Sequence, residues 1–167
     1  MLIGLPGSGK STVGQLVAEA LAAPFLDIDA IISRREGRPI ALIFAEHGES
    51  AFRGLERQEM ETALAGPPSV IAPGGGWAAQ PGALESVQQR ALLVYLKTRP
   101  ATAAARAVPP GNRPTLMGED PGIQMRQLLV QREPFYVQAE AQVETDRRDA
   151  AAVAADVVRL ARQQGGW

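Results

Sequence analysis

The sequence predicts an α/β protein, a three-layer sandwich with helices on both faces of a mostly parallel sheet. Three observations predict it. Short apolar runs alternate with longer stretches whose apolar residues recur at helical spacing, the mark of strand–helix units. A glycine-rich turn joins the first apolar run to the first helical stretch. The chain has 167 residues, enough for one domain, 1–167, with its own core.

The elements follow in order. Met1, Leu2 and Ile3 form an apolar run that Gly4 ends at once. A buried strand usually has about 5–6 residues, so this one is brief, unless the native chain begins upstream. From Lys10 to Ala22, Val13, Leu16, Val17, Ala20 and Leu21 line one helical face. Pro24 stops that helix, and Phe25-Leu26 reads as a short strand ending at Asp27. Ile31 and Ile32 mark a second helix. After the turn at Gly37-Arg38-Pro39, Ile40, Ile43 and Phe44 mark a third, which Gly48 interrupts. A longer helix spans Glu49 to Leu64, and Gly66-Pro67-Pro68 breaks it. Ser69 to Ala72 is a buried strand, followed by a loop at Pro73-Gly74-Gly75-Gly76. Ala91 to Leu96 is the clearest strand. Pro100 opens a short helix to about Ala107. Residues 108–122 hold four prolines and three glycines, a loop long enough to suspect function. Helix resumes from Ile123 to Ala139, Ala141 to Glu144 is a weak strand candidate, and Asp149 to Gln164 is an amphipathic final helix.

Composition excludes several classes. Seventeen basic and 18 acidic side chains leave a formal charge of -1. That is no footprint for gripping a nucleic-acid backbone. Cysteine is absent, so there is neither disulfide nor thiolate metal site nor cysteine nucleophile. No apolar run approaches the ~20 residues that span a bilayer, and no signal peptide is visible. A soluble cytoplasmic monomer is the expectation, with neither membrane nor nucleic acid as partner.

The strongest motif is Gly4-Leu5-Pro6-Gly7-Ser8-Gly9-Lys10-Ser11, a full match to G-x-x-x-x-G-K-[ST]. Glycines let the backbone fold into a nest of inward N–H groups, and the following helix adds its positive end. Lys10 can reach the β- and γ-phosphates and Ser11 can ligate Mg²⁺. Gly7, Ser8, Gly9 and Thr12 complete the nucleotide-binding set. The motif names a nucleoside triphosphate and leaves the phosphate acceptor open.

Acceptor candidates lie beyond the carboxyl ends of the other strands, where ligands of such sheets bind. Asp27 and Asp29, two apart in an extended stretch, face the same way; one suits the Mg²⁺ shell through water, the other an acceptor hydroxyl. Asp29 also fits a simple helix cap. Arg53 and Glu56 share a helix face, a spacing equally met in solvent-facing pairs. Gly74, Gly75 and Gly76 allow close approach of a ligand. Arg113, in the proline-rich loop, can close over phosphates, and the guanidinium fork of Arg132 suits a carboxylate. Arg147-Arg148 can meet a nucleotide base or stay solvated. His47, the sole histidine, and Trp167 receive no role; Trp77 lines a pocket or packs.

Together these residues resemble the shikimate kinase family, over Ile3 to about Arg148. The resemblance rests on the phosphate loop at 4–12, Asp-x-Asp at 27–29, Gly37-Arg38 with Ile40 and Ile43-Phe44, and Gly48-Glu49-x-x-Phe52-Arg53-x-x-Glu56. It continues with the triple glycine, Arg113-Pro114-x-Leu116, and Arg132 with Tyr136. It implies a nucleoside-monophosphate-kinase-like fold of the P-loop NTPase class, with a five-stranded parallel sheet of order 2-3-1-4-5. It also implies transfer of the ATP γ-phosphoryl group to the 3-hydroxyl of shikimate, in aromatic amino-acid biosynthesis. By the same resemblance, residues of about 28–60, together with Arg53, Arg132 and the glycine loop, hold shikimate, and Asp29 binds its hydroxyls and serves as base. Asp27 supports Mg²⁺, Arg113 belongs to a lid at about 108–122, and Arg106 and Arg148 lie near the nucleotide. The chain departs from the family pattern at Pro73, Trp77 and Ala150. A gluconate or nucleoside monophosphate kinase, or a nucleotide-binding module without catalysis, are the competing readings.

Overall fold

The structure, a computed structural model, describes residues 1–107 and 120–167. Among the described residues five parallel strands are present: β1 (Leu2–Ile3), β2 (Phe25–Asp27), β3 (Val70–Ala72), β4 (Val94–Lys97) and β5 (Ala141–Glu144). Seven helices among the described residues surround them: α1 (Lys10–Ala20), α2 (Ile28–Glu36), α3 (Ile40–Ala65), α4 (Ala83–Val87), α5 (Pro100–Ala107), α6 (Pro121–Tyr136) and α7 (Ala150–Gln164). The five-residue α4 carries no apolar periodicity long enough to read from sequence.

Alternate strand residues serve opposite faces, which is why the strands read as unbroken apolar runs. Leu2, Val94 and Leu96 pack with Val13, Val17, Val153 and Val157 beneath α1 and α7. Ile3, Ile71 and Tyr95 pack with Ile28, Ile43, Phe52 and Tyr136 on the other face. The three layers follow from that split.

The expected single sheet of order 2-3-1-4-5 is not formed. The ladders make two sheets, β1-β4-β5 and β2-β3, all parallel. β1 and β3 still lie side by side, with Cα atoms within 8 Å. The cause is the length of β1. A strand alternates its hydrogen-bonding groups between two neighbours, and two residues that already pair with β4 leave too few for a second ladder.

Three boundaries shift for identifiable reasons. β4 starts at Val94 rather than Ala91, because the backbone before it bonds elsewhere: the Met1 ammonium donates to Leu92 O at 2.8 Å, and Leu93 N–H donates to Glu140 at 2.9 Å. α6 starts at Pro121, where a missing N–H costs nothing, under an Asp120 side chain that accepts from Gly122 and Ile123. α3 runs through Gly48, which leaves helical geometry at φ 78° and ψ 170°, so the interruption is a kink between two helical halves.

Candidate active site

The phosphate loop, Asp27, Asp29, the glycine loop and Arg106 gather at the carboxyl ends of the strands. The turn between β1 and α1 is the phosphate loop. Gly7 holds φ 77° there, and a Cβ on it would lie 2.2 Å from Ala103 O of α5. Only glycine fits, so the loop and α5 pack backbone to backbone. Lys10 bends over the loop and donates to Gly4 O at 2.9 Å and Leu5 O at 3.0 Å. Burial lowers its pKa to about 8, against the raising pull of Asp29 and Asp27. A cleft of about 530 Å³ opens here, lined by Lys10, Ser11, Asp27, Asp29, Gly75 and Arg106 among others, including Gly7, Gly9 and Thr12. Ser8 is fully buried, and its hydroxyl has no partner among the described residues.

The two aspartates divide their work. Ile28 already begins α2, so the extended-strand argument for a shared direction fails. Asp27, not Asp29, is the helix cap: its Oδ1 accepts from Ala30 N at 3.1 Å, while Oδ2 accepts from Ser11 Oγ at 2.5 Å. Asp29 in the first turn is thereby free of capping, and its buried Oδ1 has no partner among the described residues. Burial raises its pKa above the carboxylate norm and the charge of Asp27 adds to this, while Lys10 and Arg53 pull the other way.

Arg53 stands on α3 between two glutamates. It donates to Glu56 at 2.7 Å and to Glu49 at 3.1 Å. Glu56 is 1% exposed, so the pair is no solvated surface pair. Burial raises its pKa against the pull of Arg53.

The triple glycine follows β3 and passes beneath these groups. A Cβ on Gly74 would lie 2.8 Å from Glu56 Oε1 and 2.9 Å from Asp29 Oδ1. One on Gly76 would lie 2.7 Å from Arg53 Nη2 and 3.3 Å from Arg132 Nη2. Two carboxylates therefore converge over Gly74, and two guanidinium groups over Gly76. Gly75, between them, abuts Pro6 of the phosphate loop.

Arg106, at the end of α5, lines the cleft and is anchored by Thr145: Nη1 donates to its Oγ1 at 3.3 Å and Nη2 to its carbonyl at 3.2 Å. Thr145 also shares a 2.6 Å hydrogen bond with Thr98, both hydroxyls buried. Arg148 is elsewhere. It donates to Asp156 at 2.8 Å and to Glu144 O and Ala152 O, and it does not line the cleft. Trp77 is buried in a 3₁₀ turn, whereas His47 and Trp167 are exposed. Arg113 and most of the 108–122 segment lie outside the described residues.

Sequence reasoning gave Glu56 only a pairing with Arg53, and gave no role to Thr145 or Tyr136. A signal existed for the first: Phe52, Glu56, Met60 and Ala63 share the buried stripe of α3, and a glutamate on such a stripe needs a partner. Thr145 is a single threonine past a strand end, and carries no local signal.

A triphosphate-sized cleft over the loop, opening onto an orphaned carboxylate and a paired-arginine pocket, is the layout of a small-molecule kinase built on a phosphate-binding loop. The family model for shikimate kinase matches residues 6–162. A shikimate kinase of Symbiobacterium thermophilum is 39% identical over 99% of this chain and 97% of its own. One from Chlorobium chlorochromatii is 44% identical over 88% of this chain and 82% of its own. The solved structure of shikimate kinase from Acinetobacter baumannii in complex with shikimate superposes with a TM-score of 0.89, at 36% identity, covering 97% of this chain and 91% of that one. The chain belongs to the shikimate kinase family.

Proposed function

We propose that the protein transfers the γ-phosphoryl group of ATP to the 3-hydroxyl of shikimate, giving shikimate 3-phosphate and ADP. The observation that carries this reading is the convergence of Arg53 and Arg132 on Gly76 next to Asp29. An anionic polyol placed with its carboxylate on the arginines would turn its hydroxyls toward Asp29 and the phosphate loop. Family membership and the shikimate bound in the Acinetobacter relative support the same substrate.

Phosphoryl transfer needs positioning and charge neutralisation more than covalent help from the protein. The phosphate-loop N–H groups and Lys10 hold the triphosphate. Bound to ATP, Lys10 would exchange its two backbone carbonyls for phosphate oxygens. Asp29 aligns the 3-hydroxyl. The hydroxyl oxygen forms a bond to the γ-phosphorus as the bond from phosphorus to the β–γ bridging oxygen breaks, and the hydroxyl proton passes to Asp29. The raised pKa of Asp29 makes it a stronger base than an ordinary carboxylate. Mg²⁺ fits the oxygen donors Ser11 and Asp27, already joined by a hydrogen bond, and when bound would neutralise phosphate charge. Arg106 is proposed to lie beside the nucleotide, and Arg113 to bring a further guanidinium to the phosphates.

The test is ADP release from Mg-ATP with shikimate, quinate, gluconate and a nucleoside monophosphate panel. Strong stimulation by shikimate alone is expected. Stimulation by gluconate or a nucleotide instead would overturn the assignment of the carboxylate pocket, and silence with every acceptor would revive a binding module.

A further inference from the structure

The peptide between Gly75 and Gly76 is a soft point of the glycine loop. Neither residue has a Cβ, so both flanking torsions are nearly unrestricted and the peptide plane can rotate while the chain ends stay in place. The structure restrains it from two sides. The ring of Pro6 stands against Gly75, where a Cβ would lie 2.8 Å from Pro6 Cδ. On the other side the hydroxyl of Tyr136 donates to the Gly75 carbonyl. Tyr136 is 1% exposed, and its ring packs on Tyr95 with centroids 5.1 Å apart. It sits one helical turn after Arg132 on α6, so the same helix face delivers an arginine to Gly76 and a hydroxyl to Gly75.

We infer that Tyr136 is a positioning residue for shikimate: by holding the Gly75 carbonyl it sets the rotation of the Gly75–Gly76 peptide. The peptide is planar and trans, so a fixed carbonyl fixes the opposed N–H of Gly76. The N–H of Gly76 then faces an anion in one preset orientation, beside the guanidinium groups of Arg53 and Arg132. Tyr136 touches no substrate in this scheme. Its effect falls on the carboxylate end of the acceptor and not on the nucleotide. The inference rests on the reading of Arg53, Arg132 and the glycine loop as the carboxylate site.

Tyr95 supplies a matched control. Its hydroxyl is also buried in the same aromatic pair, yet has no hydrogen-bond partner among the described residues. The experiment compares Tyr136→Phe, Tyr95→Phe and Arg53→Lys with the parent enzyme, measuring KM for shikimate, KM for ATP, kcat and the thermal midpoint. Tyr136→Phe is expected to raise KM for shikimate roughly fivefold, the worth of one ordinary hydrogen bond, and to leave KM for ATP unchanged. The penalty should disappear with shikimate methyl ester, which has no carboxylate to place. Tyr95→Phe should alter neither constant. An unchanged KM for shikimate in Tyr136→Phe, equal losses for both substrates, or the same penalty with the ester would each overturn the inference. If Tyr136→Phe fails to fold, amide exchange in the parent enzyme decides: Gly76 must gain protection on adding shikimate, and an unchanged rate refutes the scheme. Arg53→Lys separates the two readings. If it too leaves KM for shikimate unchanged, the carboxylate site itself is misplaced.

Discussion

At the scale of single residues, Asp29 is the proposed base, and Asp27 relieves it of structural duty. Asp27 caps α2 with one oxygen and holds Ser11 with the other, while Asp29 keeps a buried oxygen without a partner among the described residues. Asp29→Asn preserves size and removes the base. It should lower kcat by about 100-fold or more, with KM for ATP little changed. A variant with near-parental turnover would remove Asp29 from proton transfer. The pH profile follows from the same site. Asp29 must be ionised to accept a proton, and its pKa is raised, first by burial. Activity should therefore fail on acidification at a higher pH than an ordinary carboxylate would dictate. Lys10 must be charged to meet phosphate, and burial has lowered it to about 8. The value of kcat/KM for ATP, which reports the free enzyme, should fall as pH rises through about 8. At saturating ATP the phosphate charges favour the ammonium form, so kcat should hold to higher pH. Steady-state kinetics from pH 5 to 10 at low and saturating ATP checks both limbs.

At the scale of elements, the active site is a set of turns that touch. Gly7 lets α5 pack on the phosphate loop, Pro6 meets Gly75, and Thr145 beyond β5 anchors Arg106. These contacts explain why the cleft is assembled although its residues come from far apart in the chain. Thr145→Val keeps shape but removes the hydroxyl from both Arg106 and Thr98. The expected result is a rise of roughly fivefold in KM for ATP with KM for shikimate unchanged, and recovery in Thr145→Ser. A loss shared equally by both substrates would mean that Thr145 serves only the core. The kink at Gly48 belongs to this scale as well. It starts the second half of α3, on which Phe52, Glu56 and Met60 enter the core and Arg53 reaches Gly76.

At the scale of the whole molecule, the seam between β3 and β1 is the distinctive feature. Both sheets are sandwiched by the same apolar layers, yet no ladder crosses between them. Amide exchange measured residue by residue should find the β3 amides facing β1 less protected than those between β4 and β5. Equal protection would show that the seam closes in solution. Replacement of the fully buried Leu96 by Ala should cost about 2–5 kcal/mol, as chemical denaturation would show.

Much of this protein was legible as sequence wherever the physics is local. A phosphate nest needs its glycines, lysine and serine within eight consecutive positions, and a helix declares itself by the spacing of apolar residues over a few turns. Those features yielded the α/β class, the phosphate loop, most helices and all five strands. Strand pairing is not local. Whether β1 bonds to one neighbour or two depends on groups brought from Val94 and Val70, and the answer was two sheets. Spacing alone did not say which of Asp27 and Asp29 does which work, and the start of α2 separated them. Glu56 looked like a surface partner until the layer above it excluded water. Arg53, Gly76 and Arg132 are scattered along the chain, and nothing between them in sequence states that they meet. Their meeting is a product of packing, because a charge can be held beside a buried backbone only when the whole fold supplies its partners.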